Sequence, residues 1–238
     1  MSWLKKIFSI LALLAWTALS VFASQFVFGF LFVLIFNDFT TSTVLSALYS
    51  AISYAFSLFL IIFIPWKIFK KWKTSREEIG LKSLPTFVDI GLAPVGFVVY
   101  YLLASLLTSI FQLFPWFDMT ETQNVGFNYL FSIGDRLLAF VALAIIAPIA
   151  EELIFRGWLY GKLRTKLPKK LSLFLSIFLV SLLFAILHGQ WNVGVNVFAM
   201  SIVLCFMREI TGTIYSGIFL HILKNTLAFF LVYIFNIS

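Results

Sequence analysis

Glu151 and Glu152 close an apolar run over residues 137–150, and Arg156 stands four residues beyond the second of them. A charged carboxylate near the middle of a lipid-spanning segment costs about 2.5–3.5 kcal/mol on insertion scales. Two adjacent carboxylates also repel each other. On a helix, Glu152 and Arg156 sit one turn apart and can pair. Glu151 points about 100° away, toward a different neighbour. Pro148 withholds a hydrogen bond from Ala144 and is expected to kink the helix just before the pair. The bland alternative is an ion pair at the cytoplasmic end of a helix, with Glu151 snorkelling.

Only two histidines occur in the chain, and both belong to apolar stretches. His188 closes the run Phe184-Ala-Ile-Leu-His188, where a satisfied interfacial imidazole is the ordinary reading. His221 and Asn225 belong to the last apolar segment, and their i,i+4 spacing puts imidazole and carboxamide on one helix face. A cross-helix hydrogen bond would account for either residue alone. Lys224 falls on a different face, as a packing or interfacial charge. Taken together, the set has hydrolytic chemistry. A carboxylate can take a proton from water, imidazoles can orient that water or bind a metal, and an amide can donate to an oxyanion.

The elements that must position these groups are membrane spans. Of 238 residues, 62% are hydrophobic and 11% charged, against roughly 45–50% and 25% in a soluble domain. Too little surface exists to hide that apolar mass, so soluble, disordered and coiled-coil classes are excluded. Apolar segments at about 7–36, 43–66, 88–114, 134–160, 170–190, 193–207 and 213–235 predict an all-α polytopic bundle of about seven spans. The uncharged stretch from Ile7 to Phe36 exceeds a signal-peptide core and is read as an uncleaved first span. Lys5, Lys6, the basic segment 67–82, the cations from Arg156 to Lys170 and Arg208 all fall on one side if the N-terminus is cytoplasmic. Asp38, Asp118 and Glu121 fall on the other, as the positive-inside rule requires. The net charge of +7 therefore reads as orientation and anionic-headgroup contact, not nucleic-acid binding. Gly157 and Gly161 are read as a small-xxx-small pair for close helix approach, and Cys205 as a small buried hydrophobe.

The segments Glu151-Glu152-Leu-Ile-Phe-Arg156, Phe184-Ala-Ile-Leu-His188 and His221-Ile-Leu-Lys-Asn225 resemble the EExxxR, FxxxH and HxxxN motifs of the CPBP family. This is the CAAX-prenyl-protease and bacteriocin-processing (Abi) family of intramembrane endopeptidases. The resemblance covers about residues 130–230 as a catalytic core within a single membrane domain, 1–238, and leaves 1–129 as spans without a recognised motif. It implies an intramembrane hydrophilic cavity, with Glu151 activating water and His188 assisting. It gives His221 and Asn225 the positioning of water or substrate, Asn225 facing the oxyanion, with Glu152 and Arg156 in support. If a divalent metal such as zinc takes part, His188, His221 and Glu151 would be its ligands; a metal-free mechanism stands equally.

The reading is an intramembrane peptide hydrolase in a prokaryotic plasma membrane, acting on a membrane-associated or lipid-modified peptide or protein. Its alternatives are a non-catalytic scaffold or bacteriocin-immunity protein that keeps the fold, and a proton-coupled transporter. The inverted halves of a transporter are not found in the sequence.

Overall fold

The computed structural model describes residues 3–120, 126–127, 130–168 and 170–235. Glu121 and Lys169, used in the orientation argument, lie outside the described residues. Among the described residues all regular structure is helical, with no strand. Among the described residues, six helices are long and apolar enough to cross a membrane: α1 (Trp3–Phe36), α2 (Thr43–Ile68), α4 (Phe87–Phe111), α5 (Ile133–Lys166), α7 (Trp191–Thr211) and α8 (Tyr215–Ile234). Two further helices, α3 (Arg76–Ile79) and α6 (Ser172–Ile186), are shorter.

The fifth apolar segment is thus a short helix where a full span was expected. Its first residues are lost to a turn after Pro168, whose carbonyl accepts from the backbone N–H groups of Leu171 and Ser172. At the other end the chain leaves the helix through His188 and Gly189, and Gly189 takes a φ of +72° that glycine adopts without penalty. Fifteen residues remain, about 22 Å at 1.5 Å per residue.

The chain divides into two compact units. The first comprises Met1–Ala18, Thr74–Gln123 and Glu152–Leu220; the second comprises Leu19–Lys73, Asn124–Glu151 and His221–Ser238. Glu152, Arg156 and His188 fall in the first, and Glu151, His221 and Asn225 in the second.

In the first unit, α7 packs on both α4 and α6. Residues 154–163 of α5 are buried on every face. That burial needs neighbours with close backbones, and the glycines supply the space. A Cβ on Gly161 would meet the Glu78 carbonyl oxygen at 2.5 Å, and one on Gly157 would meet the Ile79 side chain at 2.8 Å. The small-residue pair therefore admits α3, beside which the buried Lys162 ammonium meets the Glu78 carboxylate at 2.5 Å. Cys205 is buried, as its apolar surroundings predict.

In the second unit, Phe127, Ala139, Ala142 and Phe229 form an apolar core. The face of α2 that packs inward carries Ser46, Ser53 and Ser57, small residues that let helices approach. Along α5, wide π-helical turns occur at Val141–Ile146, in the second unit, and at Leu153–Leu159, in the first, before and after the Glu151–Glu152 pair in the chain. Insertions of this kind are frequent at functional sites.

Candidate active site

Within the second unit, Glu151 is held by two partners on different helices. The Tyr54 hydroxyl on α2 donates to Glu151 Oε1 at 2.5 Å. His221 Nε2 on α8 lies 3.7 Å from the other carboxylate oxygen, Oε2. The imidazole is almost fully enclosed and the carboxylate only slightly less so, with 3% and 16% of the side chains exposed. The two oxygens are therefore differentiated: one is fixed by a phenol, the other faces an imidazole across a gap too long for a direct hydrogen bond. Lys224, one helix face away, is close enough to act electrostatically on Glu151.

Asn225 completes this group through an irregularity of α5. In the wide turn at Val141–Ile146, the Ala147 N–H bonds to the Ala142 carbonyl, five residues back. By the same spacing the Leu143 carbonyl would pair with residue 148, which is proline and has no N–H. The Leu143 carbonyl instead accepts from Asn225 Nδ2 at 2.9 Å. A carboxamide nitrogen carries two N–H donors, so this bond orients the group and leaves its second N–H for another acceptor.

Within the first unit, Glu152 and Arg156 pair at 2.9 Å with both side chains fully buried. The guanidinium also lies over the Phe184 ring, 4.5 Å from its centroid. Breaking one partner of such a pair strands a charge in the interior, which is costly. Glu152 fits because position 217 is glycine: a Cβ there would stand 3.0 Å from Glu152 Oε2. Phe184 in turn stacks edge-on with His188, ring centroids 4.8 Å apart. His188 sits in the turn that follows α6, and its Nδ1 lies 2.8 Å from the Phe184 carbonyl oxygen. A carbonyl only accepts, so Nδ1 is the donor of this bond. Arg156, Phe184 and His188 thus form one contact chain, linking two of the three sequence motifs by geometry.

Tyr54 escaped the sequence reading because no motif marks it and it lies in the stretch assigned only spans. The available signal was a phenol in an apolar segment, since a hydroxyl at membrane depth must find a partner. The same logic covers Tyr100, whose hydroxyl bonds to Asn196 Oδ1 across α4 and α7. Asn196 is therefore a tie between helices, and Asn192 Oδ1 caps the Val193 N–H at 2.7 Å. Among the described residues, no group of three or more His, Cys, Asp or Glu side chains is arranged to hold a metal ion.

Residues 133–227 match the family model described as type II CAAX prenyl endopeptidase Rce1-like. The similarity spans less than half of the chain. The matched model describes a family of proteases, and its bounds agree with the CPBP resemblance carried by the three motifs. No match was found among curated proteins or among solved structures. The Rce1-like segment contains Glu151, Glu152, Arg156, His188, His221 and Asn225, whereas Tyr54 stands outside it.

Proposed function

We propose that the protein is an intramembrane endopeptidase that hydrolyses a membrane-associated or lipid-modified peptide with Glu151 as the general base. The observation that carries this reading is the pair of contacts on Glu151, to the Tyr54 hydroxyl and to His221. With Oε1 held, Oε2 is the oxygen left to take a proton. A water oxygen about 2.8 Å from both Oε2 and His221 Nε2 fits the 3.7 Å gap between them. On attack, the water oxygen bonds to the scissile carbonyl carbon while Glu151 accepts the water's proton. The carbonyl oxygen becomes an oxyanion, toward which the second N–H of Asn225 is the available donor. Collapse breaks the C–N bond, and the proton on Glu151 passes to the departing amine.

His188 takes the assisting role on the strength of its FxxxH motif and the Rce1-like match. Glu152 and Arg156 brace the helix that carries the base. The setting of the reading is a prokaryotic plasma membrane, where a substrate anchored by lipid or by its own helix reaches the site laterally.

The test is cleavage of a membrane-anchored reporter peptide in proteoliposomes by wild type, Glu151→Ala and His188→Ala. Wild type is expected to cleave, Glu151→Ala to lose at least about 100-fold in kcat, and His188→Ala to lose a comparable factor. Equal turnover in all three overturns the proposal. Loss of a cellular phenotype with no measurable proteolysis by wild type replaces it with a scaffold.

A further inference from the structure

The segment between α2 and α4 is built more firmly than a loop that only sets orientation. Arg208 Nη2 donates to the carbonyls of Glu77 and Glu78 at 3.4 and 3.2 Å. The Ile214 N–H donates to the Gly80 carbonyl at 3.3 Å, and the Tyr215 hydroxyl to the Ser83 carbonyl at 2.8 Å. Gly80 adopts a φ of +86°, and a Cβ there would strike the Arg208 guanidinium at 2.6 Å. This strapping shapes a cavity of about 500 Å³ lined by Arg76, Leu81, Lys82, Ser83, Leu84 and Tyr215. A second cavity of about 220 Å³ shares Lys82 and Ser83 with it.

The carboxylates around these cavities are each engaged by groups of the protein. Glu78 is paired with Lys162. Asp89 accepts from the Thr86 backbone and hydroxyl, both at 2.8 Å, and from the Thr213 hydroxyl at 3.1 Å. Glu77 is exposed, and its own backbone N–H, the Ser75 hydroxyl and the charge of Arg76 hold its carboxyl below the usual range. The cations that line the larger cavity, Arg76 and Lys82, make no ion pair among the described residues. The Lys82 ammonium rests against Gly212, where a Cβ would lie 2.9 Å from Nζ and φ is +70°. Directly after these cations come Leu84, Phe87 and Val88, exposed by 82, 94 and 66%, at the mouth of a membrane-spanning helix. Two exposed cations at the mouth of a mixed polar and apolar cavity, followed by bare apolar side chains, match the sequence of groups along an acidic glycerophospholipid.

We propose that Arg76 and Lys82 hold the phosphate of an acidic glycerophospholipid, whose acyl chains lie along Leu84, Phe87 and Val88. The guanidinium offers a two-donor fork to the phosphate, and the ammonium a point charge. The site is independent of the protease reading and operates whether or not Glu151 is a catalytic base.

The experiment is native mass spectrometry of the full chain released from phosphatidylcholine nanodiscs doped with phosphatidylglycerol. Wild type is expected to retain one phosphatidylglycerol in preference to phosphatidylcholine. Arg76→Gln/Lys82→Gln is expected to weaken retention roughly 20- to 30-fold, the effect of two basic side chains at a membrane surface. The charge-matched control Lys70→Gln/Lys71→Gln should retain it, and Lys82→Arg should retain it if charge at that place is what matters. Equal losses in the control pair overturn the site in favour of general surface attraction. Displacement of the lipid by inorganic phosphate alone, or full retention by the Arg76→Gln/Lys82→Gln protein, overturns it as well.

Discussion

The Tyr54 hydroxyl donates a 2.5 Å hydrogen bond to Glu151 Oε1, across 97 residues of sequence and from a helix outside the Rce1-like segment. A hydrogen bond to a charged group is worth about 1.5–3 kcal/mol. Tyr54→Phe removes the bond and keeps the ring. It is expected to lower kcat for peptide cleavage by roughly 10- to 100-fold while leaving KM within about twofold. An unchanged kcat would reduce the phenol to a packing group.

Asn225 and Pro148 form a second testable couple, through the Leu143 carbonyl that one fills and the other leaves open. Pro148→Ala returns an N–H to the helix and gives Leu143 a competing donor. Thermal stability of the variant should hold or rise, while kcat falls because the Asn225 carboxamide loses its anchor. Asn225→Ala should lose about 100- to 1,000-fold in kcat, in line with removal of an oxyanion donor. A Pro148→Ala enzyme with full kcat would break the link between the two residues.

The Glu152–Arg156 pair concerns stability before chemistry. Glu152→Leu alone leaves a buried guanidinium uncompensated, at about 3–5 kcal/mol, and Arg156→Met alone leaves the carboxylate. Either single variant should unfold at markedly lower temperature in detergent. Glu152→Leu/Arg156→Met together should recover much of that loss, since an apolar pair of similar volume suits the same space. A double variant as unstable as the singles would point to further bonds made by the pair.

Gly217→Ala tests the space around the same carboxylate. The added Cβ would stand 3.0 Å from Glu152 Oε2, and overpacking of this sort costs about 1–3 kcal/mol. Gly91→Ala, with nothing within 4 Å of its Cβ, is the control and should be neutral or slightly stabilising. Equal melting temperatures for the two variants would show that Glu152 gives way freely.

Much of this was legible because lipid makes polar groups conspicuous. The Glu152–Arg156 bond follows from i,i+4 spacing alone, and the structure places it as the spacing requires. The three motif segments stood out as the few ionisable or amide-bearing stretches within apolar helices. The partner of Asn225 was not legible, because a backbone carbonyl opened by a wide turn leaves no mark in residue type. Tyr54 was hidden for another reason: phenols are common in spans, and only tertiary placement distinguishes the one that reaches a carboxylate. The count of about seven spans is close to the six long apolar helices, and the difference lies at residues 170–190, where the apolar run outlasts a helix that begins after the Pro168 turn and ends before Gly189.

The fifteen-residue helix Ser172–Ile186 has a consequence for the solvent around it. At about 22 Å it falls short of a hydrocarbon layer about 30 Å thick. Embedded in such a layer, it would require lipid tails to compress beside it or water to descend to the turn bearing His188. A bilayer is then a variable of the protein in its own right. Short-chain lipids would relieve the mismatch and long-chain lipids would aggravate it, so membrane thickness becomes a dial on the environment of an imidazole.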